Sequence, residues 1–125
     1  MKMYQILEFQ KLYTELKDRS MPFKTVRKFS KLFSRLEEEV AFYQENFKKL
    51  VDEYSEKDEE GNPVLLDNGQ GVKIKEGLIT ECNMKVDELN NLDIEITDIK
   101  FNEEEFENLN LTIGEASFLI PFIEE

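Results

Sequence analysis

A repeat of apolar residues between positions 26 and 54 limits the fold of this chain more than any other feature of its sequence. Nine apolar side chains follow one another at alternating steps of three and four residues, and charged residues fill most positions between them. This apolar seam consists of Val26, Phe29, Phe33, Leu36, Val40, Tyr43, Phe47, Leu50 and Tyr54. An average step of about 3.5 residues predicts one long helix, from about Phe23 to Glu56, which must pack its seam against other helices.

The aromatic content of the seam indicates whether it packs within one chain or between two chains. Most of its residues are Phe or Tyr, whereas two-stranded coiled coils favour Leu at one seam position and β-branched residues at the other. We therefore expect a small helical bundle formed within one chain. An extended parallel dimer is the alternative, and it would make the protein a homo-oligomer.

Further helices are predicted on both sides of the long helix. Apolar residues at helical spacing predict a first helix over about 3–18 and a third over about 77–91. Their apolar faces consist of Ile6, Phe9, Tyr13 and Leu16 in the first helix and of Ile79, Cys82, Val86 and Leu89 in the third. Pro22 separates the first helix from the long one, because proline cannot continue a helix but suits a helix start.

Two short segments predict a small antiparallel sheet. The apolar runs 64–66 and 72–74 flank a loop that contains Asn68-Gly69, a pattern typical of a β-hairpin. Residues 93–99 alternate between apolar and polar side chains, as in a half-buried strand. The predicted fold class is therefore α+β, with a long central helix packed by two shorter helices, a small sheet and a C-terminal helix.

The last part of the chain carries two signals for helix starts. Asn102 with Glu105, and Thr112 with Glu115, have the spacing of a capping box, in which two side chains satisfy free amide groups. The second of them predicts a terminal helix from about residue 113, which Pro121 should end or kink.

The length of the chain sets its domain organisation. At 125 residues it can bury one core and is too short for two independent ones. We therefore expect a single domain over residues 1–125. It would consist of a helical hairpin (1–56), a β-hairpin (57–76) and a last part with a helix, a strand and the C-terminal helix (77–125).

The available side-chain chemistry argues against an enzyme. The sequence has no histidine and one cysteine, Cys82, which excludes histidine-activated nucleophiles and zinc clusters. Residues 56–67 align with a calcium-binding loop, but Glu56 stands where Asp is preferred and Asp67 where a bidentate Glu is needed. We expect no catalytic residue, no cofactor and no metal. A metal-binding protein or enzyme is a distant alternative, and the sequence leaves open whether this acidic turn binds a cation.

The charge of the chain is unevenly divided. The net charge is −12, yet residues 1–50 hold eleven basic against seven acidic side chains, and residues 51–125 hold five basic against twenty-one acidic. Part of the basic excess forms a basic strip at helical spacing along the long helix: Lys24, Arg27, Lys28, Lys31 and Arg35. This strip either solvates the helix and pairs with the acidic C-terminal part, or it docks an acidic partner or phosphates.

The acidic excess favours a different hypothesis. Carboxylates such as Glu103, Glu104 and Glu105 could imitate the charge of DNA and occupy the basic groove of a nuclease. The same charge repels phosphate backbones, so we expect no direct nucleic-acid binding. The longest apolar run, 118–123, is far shorter than the about 20 residues that span a bilayer, and the start of the sequence does not read as a secretion signal. We therefore expect no membrane association and a cytoplasmic location.

Four stretches carry a likeness to a known protein family. They are Arg27–Leu32, Lys49–Tyr54, Lys57–Asn62 and Asp93–Ile96. In their order and in the layout around them, the chain resembles a family of short uncharacterised proteins from tailed phages and prophages of Gram-positive bacteria. It departs from that family at Glu81–Met84, where the family has an acidic, leucine-bearing stretch. The resemblance implies a phage protein in the host bacterial cell and carries no activity with it.

Together, these features predict a non-catalytic phage accessory or assembly protein. It would bind a protein partner, of phage or host, by charge complementarity, with Arg27, Lys31 and Arg35 steering recognition. The alternative is an acidic inhibitor of the DNA-mimic type, directed against a host nuclease or defence complex.

Overall fold

The computed structural model describes residues 1–67, 69–107 and 109–124 of the chain, and their regular structure is helical. The α-helices are α1 (Met3–Ile6), α2 (Phe9–Leu16), α3 (Phe23–Tyr54), α4 (Ile79–Asn90) and α5 (Ile113–Leu119). Short 3₁₀ helices cover Glu103–Phe106 and Ile120–Phe122. None of the helices among these residues is both long enough and apolar enough to cross a membrane.

The predicted α+β fold class is wrong. Over the described residues the backbone forms isolated antiparallel and parallel bridges but no β-strand, and so no sheet. The prediction relied on local alternation of apolar and polar residues, whereas a strand also needs an extended partner along its length.

The predicted hairpin around residues 64–74 shows this limit. Leu65 pairs with Val72 and Ser55 with Ile74, each in a single antiparallel bridge. The Lys73 amide donates to the Val64 carbonyl at 2.7 Å and the Leu66 amide to the Gly71 carbonyl at 2.9 Å, but these contacts do not extend into a continuous ladder over the described residues. Asn68, half of the predicted Asn-Gly turn, lies outside the described residues.

The predicted strand over 93–99 does not form either, because the segment pairs with another part of the chain only at its start. Asp93 forms a bridge with Lys2, and the Ile94 amide donates to the Met1 carbonyl at 2.8 Å. Within the described part of the chain, no other bridge involves residues 93–99. Ile96 is nevertheless buried. The alternation therefore located a buried segment without specifying its backbone pairing.

Contacts divide the chain into two compact units: residues 1–40 with 93–125, and residues 41–92. In the first unit, aromatic residues of α3 and of the C-terminal part meet, with the Phe29 and Phe101 ring centroids 4.7 Å apart. Helix α2 packs on the same part of α3, where Phe9 and Phe33 stack at 6.1 Å. The prediction of a single domain over 1–125 stays a prediction.

In the second unit, the end of α3 packs on α4. Tyr54 is buried, and its hydroxyl is hydrogen-bonded to Glu81 of α4. Burial raises the pKa of Tyr54, and the neighbouring Glu81 carboxylate raises it further. Cys82 is buried beside this contact, as expected of a small core residue. The amide of Lys75 donates to the Tyr54 carbonyl at 2.8 Å, which ties the loop to the helix end.

The seam of α3 is only partly buried. Phe29, Phe33, Leu36 and Tyr54 are buried, whereas Val26 and Phe47 are 42% and 38% exposed. Leu32, which lies outside the seam, is fully buried. A repeat of about 3.5 residues drifts around a helix of 3.6 residues per turn, so the seam does not stay on one buried face over four heptads.

The remaining helix predictions hold in outline. The first helix is interrupted at Leu7–Glu8, and Leu12 is buried in place of Tyr13, which is 40% exposed. The third helix is observed as α4, slightly shorter than predicted. Helix α5 begins at Ile113, as the Thr112 capping box predicts, and ends at Leu119, two residues before Pro121.

Candidate functional site

The basic strip lies on the first half of α3, in the first unit, and its members have different surroundings. Lys28 and Arg35 form half-buried ion pairs with other residues of the chain. The other three members are exposed, and within the described ranges no carboxylate lies within 4.0 Å of their charged groups. These are Lys24, Arg27 and Lys31.

Lys28 is half-buried at the edge of the aromatic core of the first unit. Its ammonium group pairs with Glu105 and lies 5.7 Å from the centroid of the Phe101 ring. Glu105 also accepts hydrogen bonds from the Thr25 hydroxyl at 3.2 Å and from the Asn102 amide at 3.1 Å. Burial acts to raise the pKa of Glu105, but these hydrogen bonds and the Lys28 charge outweigh it, so the pKa is lowered. Lys28 therefore has a structural role.

A second ion pair in the same unit uses a basic residue upstream of the strip. The guanidinium of Arg19 lies 3.1 Å from Glu115 and also donates to the Leu109 carbonyl at 2.9 Å. Burial acts to raise the pKa of Glu115, but hydrogen bonds with the Thr112 amide, Glu15 and Arg19 and the Arg19 charge lower it overall. In each predicted capping box, the glutamate (Glu105 or Glu115) is thus also a partner in an ion pair.

Arg27, Lys31 and Arg35 line one side of an open groove of about 620 Å³. We call this the basic groove. Asp98 and Ile99 line it as well. Arg35 pairs there with Glu39 and lies 4.0 Å from Glu38, so Arg27 and Lys31 are the cations available to a ligand. Lys24 does not line the groove.

Apolar surface lies beside these charges. Phe23, at the start of α3, is 81% exposed and lines the basic groove together with Val26. Such a combination of free cations and exposed apolar side chains is suited to binding a protein segment.

A second cavity of about 280 Å³ lies between α2 and α3, and we call it the α2–α3 pocket. It shares Val26, Ser30 and Ser34 with the basic groove, so these side chains separate the two cavities. The sequence prediction missed this pocket. Its signal was the pair of serines at positions i and i+4 in a helix whose neighbouring positions are large or charged.

The three acidic residues proposed for DNA mimicry do not form one surface. Glu103 and Glu104 are exposed, whereas Glu105 is engaged with Lys28. The trio begins a 3₁₀ helix, and its third member caps that helix.

Two carboxylates of the acidic turn over 56–67 contact protein groups. Asp58 accepts hydrogen bonds from the amides of Glu60 and Asn62, both at 2.9 Å, and Glu56 lies 3.4 Å from the Lys73 ammonium. Among the residues that the structure describes, no three Asp, Glu or Cys side chains are grouped so as to hold a metal ion.

Comparisons with protein-family models, with curated proteins and with solved structures give no match to this chain.

Proposed function

We propose that this protein is a non-catalytic binding protein whose basic groove docks an acidic segment of a protein partner. The resemblance noted in the sequence adds the setting: a phage accessory or assembly factor that acts in the host cytoplasm. The partner is then a protein of the phage or of its host.

One observation carries the proposal. Arg27 and Lys31 lie one helical turn apart on the same side of the groove, and no described carboxylate neutralises either of them. Complementary charge steers such a partner into place and orients it. The third cation, Arg35, forms an ion pair with Glu39 and therefore contributes less to partner binding.

The surroundings of the groove favour a protein over a nucleic acid. Asp98 and Glu38 line the same cavity, and the net charge of the whole chain is −12. A nucleic acid has a charge on every nucleotide and cannot avoid these carboxylates, whereas a protein segment can place a few carboxylates at the two free cations.

The test is a binding titration of the full chain with a labelled peptide of about ten residues, rich in Asp and Glu, with alanine at its centre. We expect binding at about 50 mM salt that weakens at about 200 mM. Arg27→Glu should weaken it about tenfold, and Lys24→Glu, which makes the same change in net charge outside the groove, about twofold.

Two outcomes would count against the proposal. Equal losses for Arg27→Glu and Lys24→Glu would show that overall charge, not the groove, attracts the peptide. Duplex DNA that binds as tightly as the peptide would point to a nucleic-acid partner. If the wild type captures a protein from infected-cell lysate, its loss with Arg27→Glu but not with Lys24→Glu would connect that protein to the groove.

A further inference from the structure

We propose that the partner's acidic segment carries one bulky apolar side chain, which inserts into the α2–α3 pocket while neighbouring carboxylates contact the basic groove. This inference rests on the proposed function and adds the chemical pattern of the partner: an apolar anchor residue between acidic residues.

The shape and lining of the α2–α3 pocket suit a single side chain. Its volume of about 280 Å³ is at or below the lower end of the range for small-molecule sites, about 300–1,000 Å³. The buried residues Leu16, Phe29 and Phe33 line it with apolar surface. Tyr13 forms part of its wall, with its ring edge-on to Phe33 at 5.3 Å between centroids. An aromatic anchor would extend this cluster of rings.

The boundary between the two cavities allows one segment to reach both. Ser30 and Ser34 are exposed, and both line the pocket and the basic groove. Because their side chains are short, a partner backbone can pass over them and approach α3 closely. Val26, which also lines both cavities, is 42% exposed and offers apolar contact along the same path.

The charges around the pocket determine what should flank the anchor. Lys17 is exposed and lines the pocket, and Arg27 and Lys31 line the groove across the serine boundary. Carboxylates on both sides of the anchor would therefore meet a cation, provided that they are placed away from Glu37, which also lines the pocket. Binding energy at interfaces concentrates in buried aromatic anchors, and the surrounding charges mainly supply orientation and association rate.

The test compares two peptides that have identical acidic flanks and carry either tryptophan or alanine at the centre. Each is titrated into the full chain, and the affected backbone amides are identified by NMR. We expect the tryptophan peptide to bind about tenfold more tightly and to shift amides of Tyr13 and Met21, which line only the pocket, in addition to those near Arg27.

A pair of substitutions at one exposed pocket residue tests where the tryptophan binds. Glu37 lines the pocket but not the basic groove. Glu37→Trp should block the pocket and remove the advantage of the tryptophan peptide, leaving the alanine peptide bound. Glu37→Gln, which removes the same charge without the bulk, should keep the advantage.

The outcomes separate this inference from the proposed function. If the alanine peptide binds at the basic groove and tryptophan adds nothing, the anchor is wrong and the docking proposal stands. If the tryptophan advantage survives in Glu37→Trp, the anchor binds elsewhere and the inference is again wrong. If neither peptide binds at low salt, both proposals fail.

Discussion

Arg19 donates hydrogen bonds to both carboxylate oxygens of Glu115, a residue 96 positions later in the chain, at 3.1 and 3.3 Å. Glu115 is 4% exposed, and its carboxylate also accepts a hydrogen bond from the Thr112 amide at 2.9 Å. Since the side chain of Thr112 accepts from the Glu115 amide, one glutamate both starts helix α5 and attaches that helix to the segment after α2. Hydrogen bonds to charged groups are among the stronger polar contacts in proteins.

Removing the arginine should therefore destabilise the first unit. Arg19→Ala leaves the buried Glu115 carboxylate without its cation, and we expect the free energy of unfolding to fall by about 2–3 kcal/mol. Urea denaturation measures the change. Lys49→Ala is the matched control. Lys49 pairs with Glu45, both side chains are exposed, and this pair should contribute less than about 1 kcal/mol to the free energy of unfolding. Similar losses in both variants would contradict this account of the buried pair.

The two capping glutamates should also make the protein sensitive to acid. The folded protein lowers the pKa of Glu105 and of Glu115 below the ordinary value of 4.5, so the unfolded chain binds protons more readily at these positions. Their contribution to stability is complete above pH 4.5 and is lost as the pH falls below it through the folded-state pKa values.

The double variant Glu105→Gln/Glu115→Gln tests this pH dependence. We expect it to be less stable than the wild type at pH 7 and to lose less stability between pH 5 and pH 3, as measured by urea denaturation at each pH. A smaller slope should remain, in part from Asp52, whose pKa is lowered by its hydrogen bond and proximity to Lys57. An unchanged slope in the double variant would show that the two glutamates do not dominate the acid response.

The elements that the sequence predicts well are those with local causes. The long helix is predicted over Phe23–Glu56 and observed over Phe23–Tyr54, because helical spacing and the Pro22 boundary are visible within the segment itself. The start of α5 was predicted for the same reason, because Thr112 and Glu115 of its capping box are three residues apart. The predicted sheet failed because strand pairing depends on distant chain segments, such as Lys2 opposite Asp93.

The candidate site, too, could be predicted from the sequence only in part. The basic strip could be recognised from its spacing, but the partners of its members could not. Lys28 finds Glu105, 77 positions away, while Arg27 and Lys31 point into an open groove. Only the tertiary structure separates the structural cation from the two that are free to bind. Of the two hypotheses raised from the sequence, the pairing of Lys28 with Glu105 fits the structural one, whereas docking of a partner stays a prediction.

A backbone conformation before α4 provides a test of the second unit. Gly77 has a φ of +84°, a region that residues with a Cβ atom avoid, and no heavy atom lies within 4 Å of a Cβ built there. Gly77→Ala should lower the free energy of unfolding by about 1 kcal/mol, and Gly77→Asn by less, because asparagine tolerates this region.

Gly114→Ala, within α5, is the control substitution. It should raise the free energy of unfolding by about 0.5–1 kcal/mol, because alanine is the better helix former. Both effects can be read from urea midpoints, and a neutral Gly77→Ala would contradict the assigned turn.

The burial pattern of α3 can be tested by two substitutions in the same part of one helix. Val26 belongs to the seam that the sequence predicts but is 42% exposed, whereas Leu32 lies outside the seam and is fully buried. Leu32→Ala should therefore cost about 2–5 kcal/mol of unfolding free energy, and Val26→Ala less than about 1 kcal/mol. If Val26→Ala were the more destabilising of the two, the strict heptad face would be the buried one, as in a coiled coil. That result would favour the seam as an interface between two chains, and light scattering on the wild type would then have to show a dimer.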